Sequence, residues 1–138
     1  MTCIFTIMYS KKRQFGNIGE KIAVKKLQQQ GFVILEQNYL RKWGEIDIVA
    51  RATNGVVHFV EVKCVSRDIP KNNTKSVSYD TFRPEENVTR EKILKLERVI
   101  HSWITEHKYE GEWQIDVAAV ELDMKRRIGK FRFIECVY

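Results

Sequence analysis

The run Val56-Val57-His58-Phe59-Val60-Glu61-Val62 is apolar at both sets of alternating positions. Successive side chains of a strand point to opposite faces of a sheet, so both faces of a strand with this pattern must be covered. A sheet with one face in solvent does not accommodate it. The run therefore predicts a central strand that lies between two covering layers.

Further β-rich runs lie on both sides of this central strand. Two precede it, at Phe32 to Leu35 and Ile46 to Ala50, and Asn54-Gly55 favours a tight hairpin between the second run and the central strand. These three strands predict an antiparallel meander. Two later runs, Trp113 to Val120 and Phe131 to Val137, predict a fourth and a fifth strand.

Two amphipathic segments predict helices that cover the sheet. The first extends from an N-cap at Asn17 to Gln30, and Gly31 follows it at the position where a left-handed residue ends many helices. The second follows a cap at Thr89, and its apolar residues recur at spacings of three and four. The resulting core order, αβββαβ, with the fifth strand after it, predicts an α/β fold with a central mixed sheet flanked by helices.

The length and composition indicate one folded domain. The chain has 138 residues and is 43% hydrophobic, which is enough for one core and argues against general disorder. We expect a single domain over residues 16–138, preceded by an N-terminal extension, residues 1–15, that could be flexible. A long loop is expected at about residues 64–88, where both prolines lie and no helical period is found.

The cysteines and the N-terminus bear on the compartment. Three cysteines without a CxxC pair argue against a disulfide framework and a cysteine zinc site. The apolar opening, Met1 to Tyr9, has no charged segment before it and is too short to span a bilayer. We therefore expect a cytoplasmic protein that does not insert into a membrane.

Basic clusters give the chain a net charge of +6 and make a nucleic acid a plausible partner, because clustered Lys and Arg neutralise phosphates. A solvated surface explains such clusters about equally well. Beside the acidic positions, Arg41 and Lys42 could clamp a phosphate while Trp43 stacks a base. The candidate residues for nucleic-acid binding are Lys11, Lys12, Arg13, Arg41, Lys42, Trp43 and Arg67.

Charged residues occupy strand positions where an unpaired buried charge would be costly. Asp47 interrupts the second strand, and Glu61 and Lys63 lie two apart on one face of the third. The hairpin brings Asp47 and Glu61 to similar heights on neighbouring strands, where they could share a hard divalent ion such as Mg²⁺. An ordinary ion pair of Glu61 with Lys63 at a fraying strand end, with Asp47 paired to a neighbouring Lys, remains an alternative.

A fourth charge, Glu20, lies on the inward stripe of the first helix. Together these residues resemble the PD-(D/E)xK nuclease superfamily. The segments Gly16-Asn17-Ile18-Gly19-Glu20, Asn38-Tyr39, Gly44-Glu45-Ile46-Asp47, Phe59-Val60-Glu61-Val62-Lys63 and Ile115-Asp116-Val117 resemble, more closely, the bacterial YraN-like family of predicted endonucleases, distant relatives of the archaeal Holliday junction resolvases.

The resemblance implies a restriction-endonuclease-like three-layer fold and a metal-dependent endonuclease that acts on DNA, including branched or structured DNA. It implies that Asp47 and Glu61 bind Mg²⁺, or Mn²⁺ as a substitute, together with the Val62 carbonyl. It further implies that Lys63 is catalytic, that Glu20 joins the site and, by analogy, that the protein is a homodimer.

Other functions remain open at this point. A nucleic-acid-binding module with the same fold and no catalysis is the main alternative, and a subunit that binds an acidic protein is a weaker one. Asp116 lies among apolar residues and is expected to be a buried structural acid. The histidines show no metal-ligand spacing, and Cys64 is expected to be inert.

Overall fold

A computed structural model describes residues 4–66 and 89–135, with side chains from residue 15 onward in the first helix. Five strands form one sheet in the order β1-β2-β3-β4-β5; β3 and β4 are parallel and the other neighbours antiparallel. This is the predicted mixed sheet flanked by helices, with a three-layer nuclease-like arrangement. The elements are α1 (Ile4–Gln29), β1 (Val33–Arg41), β2 (Gly44–Arg51), β3 (Val57–Ser66), α2 (Arg90–His107), β4 (Trp113–Asp123) and β5 (Ile128–Ile134).

The central strand β3 is covered on both faces, as its sequence predicts. Phe59 packs into a cluster with Leu96, Ile100 and other residues of α2, whereas Val60 belongs to a second cluster with Leu27 of α1. Each core thus buries one set of alternating β3 side chains. Because β3 is the middle strand, residues near its end are within reach of both helical layers.

The predicted hairpin joins β2 to β3. Gly55 has a φ of +88°, a left-handed conformation that glycine adopts without strain, and its N–H donates to the Ala52 carbonyl at 2.9 Å. The Asn54 side chain accepts a hydrogen bond from the Val56 N–H at 3.0 Å. These bonds set the register in which Arg51 lies opposite Val57 and Ile48 opposite Val60.

The first helix begins earlier than predicted. It starts at Ile4, so the prediction of an N-cap at Asn17 is wrong, although Gly31 follows the helix with a φ of +91° as expected. Asn and Gly lower helix stability by only about 1 kcal/mol or less per residue and, unlike proline, leave the hydrogen-bond ladder intact. The division of the chain at residue 15 stays a prediction.

Strand boundaries also differ from those predicted. β1 continues to Arg41 beyond a register shift between Ile34 and Glu36, and this irregularity breaks the two-residue period that reveals a strand. β3 continues through Ser66, because its last residues pair with β4. The predicted loop from about residue 64 therefore begins later, and its residues 67–88 lie outside the described part of the chain.

The remaining strand and helix predictions hold with shifted ends. Strand β5 begins at Ile128, earlier than predicted, and Val137 lies outside the described residues. Thr89 caps α2 by accepting a hydrogen bond from the Lys92 N–H at 3.3 Å. The residues of α2 that are buried are those with the predicted spacing: Ile93, Leu96, Val99, Ile100 and Trp103.

Asp116 is a buried structural acid, as its apolar neighbours indicate. It is fully buried on β4, where its carboxylate contacts Nδ1 of the buried His58 on β3. Gln114 donates a second hydrogen bond to Asp116 Oδ1 at 2.8 Å, and the ring of Phe32 packs edge-on against His58. The polar pair thus links the two parallel strands beneath α1.

We predict that Asp116→Ala lowers the free energy of unfolding by roughly 3 kcal/mol or more, since it leaves His58 buried without this carboxylate partner. Urea denaturation followed by circular dichroism measures the change. Glu110→Ala, at an exposed acid before β4, serves as the control and should change stability by less than about 0.5 kcal/mol. Equal stabilities of the two variants would contradict the structural role of Asp116.

Candidate active site

The candidate site lies where β2 and β3 separate. Their ladder of paired residues ends at Ile48 and Val60. One residue further on, Asp47 Oδ2 accepts a hydrogen bond from the Val62 N–H at 2.8 Å. The Asp47 carboxylate therefore occupies the place where a strand partner would accept this bond, and it is anchored to β3 in the gap between the two strands.

Glu61 and Lys63 lie on β3 at this gap. Lys63 Nζ is 3.0 Å from Glu61 Oε1, and both side chains retain only about a quarter of their exposure. The ion pair considered as the alternative is thus present. It is not at a fraying end, however, because β3 pairs with β4 on both sides of these residues and as far as Ser66.

The Asp47 carboxyl group lies in an environment that opposes its ionisation. Burial raises the pKa of Asp47 to about 7, and the negative charge of Glu61 adds to this shift, while the Val62 N–H acts in the opposite direction. Smaller contributions that raise it come from Glu20 and Glu45. Within the described residues, Asp47 forms no ion pair with a Lys, Arg or His side chain, so the alternative in which a neighbouring Lys pairs with it finds no support there.

Helix α1 brings Glu20 toward the same gap. The carboxyl group is partly buried, and its pKa is raised mainly by desolvation and further by Glu45. Asn38 of β1, with its amide oriented to donate, places its nitrogen 3.0 Å from Glu20 Oε2 and 3.0 Å from Glu45 Oε1. The amide thus links acids from α1 and β2 and partly offsets the shift of Glu20.

A close approach between α1 and β3 positions Glu20. A Cβ atom on Gly19 would lie 2.7 Å from Cys64 Sγ and 2.8 Å from Cys64 Cβ, so only glycine lets the helix pack at this distance. Burial raises the pKa of the Cys64 thiol to about 11, which keeps the thiol protonated at neutral pH. Cys64 is therefore a packing partner, in keeping with the expectation that it is inert.

Two residues of the acidic site were not singled out by the sequence. Asn38 adopts a φ of +53°, which turns its side chain out of the regular strand alternation, and Glu45 lies two residues before Asp47 on β2. Both lie in segments that carry the family resemblance, and Asn is enriched among residues with positive φ. The sequence signal for Asn38 is a short polar residue within a strand, which often marks a position of positive φ.

The predicted nucleic-acid contacts are spread more widely. Arg41 is bound to Glu106 of α2 by two contacts, at 2.9 and 2.5 Å, so its guanidinium group already has a partner. Lys42 and Trp43 are exposed at the turn before β2. Three further candidates, Lys11, Lys12 and Arg13, lie in α1 where no side chains are described, and Arg67 lies outside the described residues.

The donor set at the gap suits a hard divalent cation. Asp47 and Glu61 approach from two strands, and Mg²⁺ commonly takes one or two carboxylates and completes its shell with water and phosphate oxygens. Among the described residues, no three His, Cys, Asp or Glu side chains are already gathered into a metal cluster. The groups that could hold the ion are the two carboxylates and the Val62 carbonyl. Glu61 would first have to break its ion pair with Lys63.

Comparison with known proteins shows similarity across the part of the chain that contains the candidate site. A sequence model of the uncharacterised protein family UPF0102 matches residues 19–120, a range that includes all four predicted catalytic residues. A UPF0102 protein of Campylobacter fetus is 37% identical over 123 residues, covering 89% of this chain and 97% of the relative. UPF0102 proteins of Campylobacter hominis and Helicobacter hepaticus are 33% and 35% identical, over 91% and 79% of this chain and 94% and 86% of those relatives.

We predict that Gly19→Ala destabilises the fold by about 1–3 kcal/mol, because the added methyl group forces α1 away from Cys64. Gly16→Ala in the same helix is the matched control, since no atom lies within 4 Å of its added Cβ. That change should stabilise the helix by up to about 1 kcal/mol. Thermal and urea denaturation measure both variants, and stabilisation by Gly19→Ala would refute the close approach.

The raised pKa of Asp47 predicts a pH-dependent stability. In metal-free buffer the folded protein keeps the proton to about pH 7, whereas an unfolded Asp loses it near its ordinary pKa of 3.8. The folded state therefore binds more protons between these values, and the free energy of unfolding should fall as the pH rises through them.

Asp47→Asn should remove this part of the pH dependence while retaining an acceptor for the Val62 N–H. Urea denaturation at pH 5 and pH 8, with EDTA present, measures the difference between the variant and the parent protein. Glu110→Gln, at an exposed acid, should leave the parent's pH dependence in place. The same loss of stability with rising pH in Asp47→Asn as in the parent would show that Asp47 ionises normally.

Proposed function

The chain belongs to the uncharacterised protein family UPF0102, and from the chemistry of its own site we propose that it is a metal-dependent endonuclease that hydrolyses phosphodiester bonds in DNA. The observation that carries the proposal is the position of Asp47, which is held by the Val62 N–H beside Glu61 and Lys63. A partly buried carboxyl group that forms no ion pair with a Lys, Arg or His side chain of residues 15–66 and 89–135 is well suited to bind a cation.

In this proposal Asp47 and Glu61 hold Mg²⁺, or Mn²⁺ in its place, with the Val62 carbonyl as a third ligand. A bound divalent ion would neutralise charge on a phosphate group and lower the pKa of water for attack on phosphorus. Lys63, released from Glu61, has its ammonium group free to stabilise the charge that develops on the phosphate oxygens or to orient the water. Glu20 of α1 adds a third carboxyl group near Asp47, and the Asn38 amide of β1 holds it by a hydrogen bond.

DNA is the proposed substrate because the positive charge lies outside the acidic site. The residues between β4 and β5 and on β5 itself include five basic residues that are exposed: Lys125, Arg126, Arg127, Lys130 and Arg132. Such residues position phosphates without reading sequence. Branched or structured DNA, a homodimer and a cytoplasmic location are further parts of this proposal and rest on the family resemblance and on three cysteines without a CxxC pair.

Neither helix within residues 4–66 and 89–135 has the length and apolar character needed to cross a membrane.

A nucleic-acid-binding module without catalysis is the second candidate. The ion pair between Glu61 and Lys63 favours it. If this pair never opened, Glu61 could not bind a metal ion. Isothermal titration separates the two candidates. The module predicts salt-sensitive DNA binding and no divalent ion at the carboxylates, whereas the nuclease requires metal binding that Asp47→Asn abolishes.

We predict that Asp47→Asn, Glu61→Gln and Lys63→Met each reduce DNA cleavage by about 100-fold or more, because each removes a ligand or a charge at the reacting phosphate. Cleavage is measured on linear, nicked, flapped and four-way DNA with Mg²⁺ or Mn²⁺. Glu110→Gln is the control and should cleave like the parent protein.

Metal titration complements the cleavage assay. Asp47→Asn and Glu61→Gln should lose metal binding, whereas Lys63→Met should retain it, because its ammonium group is not a ligand. The nuclease proposal fails if the parent protein cleaves none of the four DNA forms, or if the carboxylate variants cleave as well as the parent.

A further inference from the structure

An apolar groove adjoins the candidate active site. Its volume is about 230 Å³, and it lies between the N-terminal half of α2 and the face of the sheet formed by β2, β3 and β4. Glu61 and Lys63 form part of its wall. Its apolar floor is formed by the outer atoms of core residues that are each at most 9% exposed: Ile93, Leu96, Val99, Ile115 and Val117.

Trp43 lies at the rim of this groove as a positioned aromatic ring. It is 40% exposed, and its indole Nε1 donates to Ser102 Oγ of α2 at 3.0 Å. The guanidinium group of Arg98 lies 5.4 Å from the ring centroid, but Arg98 is not among the groove residues. Arg98 thus lies over one face of the indole, Trp43 also lines the groove, and the bond to Ser102 holds the ring before a ligand arrives.

The charged residues of the groove wall are three lysines and two glutamates, Glu45 and Glu61, and the lysines lie where they can meet the phosphates of an occupant. Lys92 and Lys95 of α2 line one part of the groove, and Lys63 lines another. The side chain of Lys95 is 72% exposed and only loosely paired with Glu91, at 3.8 Å. A flat apolar ligand with an anion attached would match both the lining and these ammonium groups, whereas a purely apolar ligand would make no use of the lysines.

We infer that this groove receives a single unpaired nucleobase next to the phosphate at the Asp47 and Glu61 site. The location of that phosphate rests on the proposed function. The base would stack on Trp43 and lie against the apolar wall, while Lys92 and Lys95 neutralise the neighbouring phosphate. A paired base within a duplex cannot enter, since both its faces are stacked, so the groove selects DNA with an unpaired nucleotide at the reacting position.

Binding to three DNA duplexes tests this inference without requiring cleavage. One duplex contains a single bulged nucleotide, the second has an abasic sugar at the bulge, and the third is fully paired. The first two carry the same phosphates and the same interruption of the helix and differ only in the base. In EDTA, fluorescence anisotropy should show at least about fivefold tighter binding of the bulged base than of the abasic bulge, as expected for one stacked base.

Variants locate the base in the groove. Trp43→Ala should abolish the preference for the bulged base, and Trp43→Phe should retain most of it because a ring remains. Leu96→Phe, which narrows the groove and leaves the indole in place, should also reduce the preference if Trp43→Ala does not fold. Lys95→Ala should weaken binding of the base and abasic bulges alike, whereas Lys25→Ala, at an exposed lysine of α1, should weaken neither substantially.

Equal binding of the base and abasic bulges by the parent protein would overturn the inference. A preference that survives in both Trp43→Ala and Leu96→Phe would likewise overturn it, because the base would then lie elsewhere. This binding test and the cleavage test of the nuclease proposal can fail independently of each other. A protein that prefers the bulged base and cleaves nothing supports the groove and contradicts the nuclease, and a nuclease without the preference does the reverse.

Discussion

The hydrogen bond from the Val62 N–H to Asp47 Oδ2 is the interaction on which the candidate site depends. It forms where the ladder of paired residues between β2 and β3 has ended, so β2 offers no paired backbone carbonyl to the Val62 N–H at this point. A partly buried donor without an acceptor is costly, and the carboxylate removes that cost. The same bond holds Asp47 next to Glu61, where burial and like charge raise the pKa of Asp47 to about 7. This hydrogen bond thus holds the Asp47 carboxyl group in a place where its ionised form is unfavourable, and a bound cation would stabilise that form.

The central position of β3 explains why elements from both layers meet here. On one side, the missing side chain of Gly19 lets α1 contact Cys64, and Glu20 follows directly in the chain. On the other side, α2 leaves an apolar groove against the sheet, beside Glu61 and Lys63. Glu20 therefore comes from the α1 layer and the groove lies on the α2 side, while Glu61 belongs both to the acidic site and to the groove wall. Chemistry at the gap and selection of an unpaired base in the groove would use neighbouring surfaces of one strand.

Several features followed from local patterns in the sequence. The doubly apolar run of β3, the Asn54-Gly55 turn and the cap at Thr89 each act over a few residues, and each is found where it was predicted. The errors arose where a local signal was weak or overridden. Asn17 is a good cap in isolation but lies inside a longer helix, and the irregular alternation of β1 hid the part of that strand beyond Leu35. Beyond Val62, parallel pairing with β4 extended β3 into residues assigned to a loop.

By itself, the sequence determined the order of the elements and the nearness of Asp47, Glu61 and Lys63, because a two-residue period and a tight hairpin suffice to align side chains on neighbouring strands. Contacts between distant parts of the chain were decided only by the tertiary structure. The amide of Asn38 reaches two acids because its backbone turns to positive φ, and Asp116 meets His58 because β3 and β4 are parallel. Burial, the charge around Asp47 and the groove beside Trp43 likewise depend on how the layers pack, since electrostatic energy and packing depend on distance in space and not on separation along the chain.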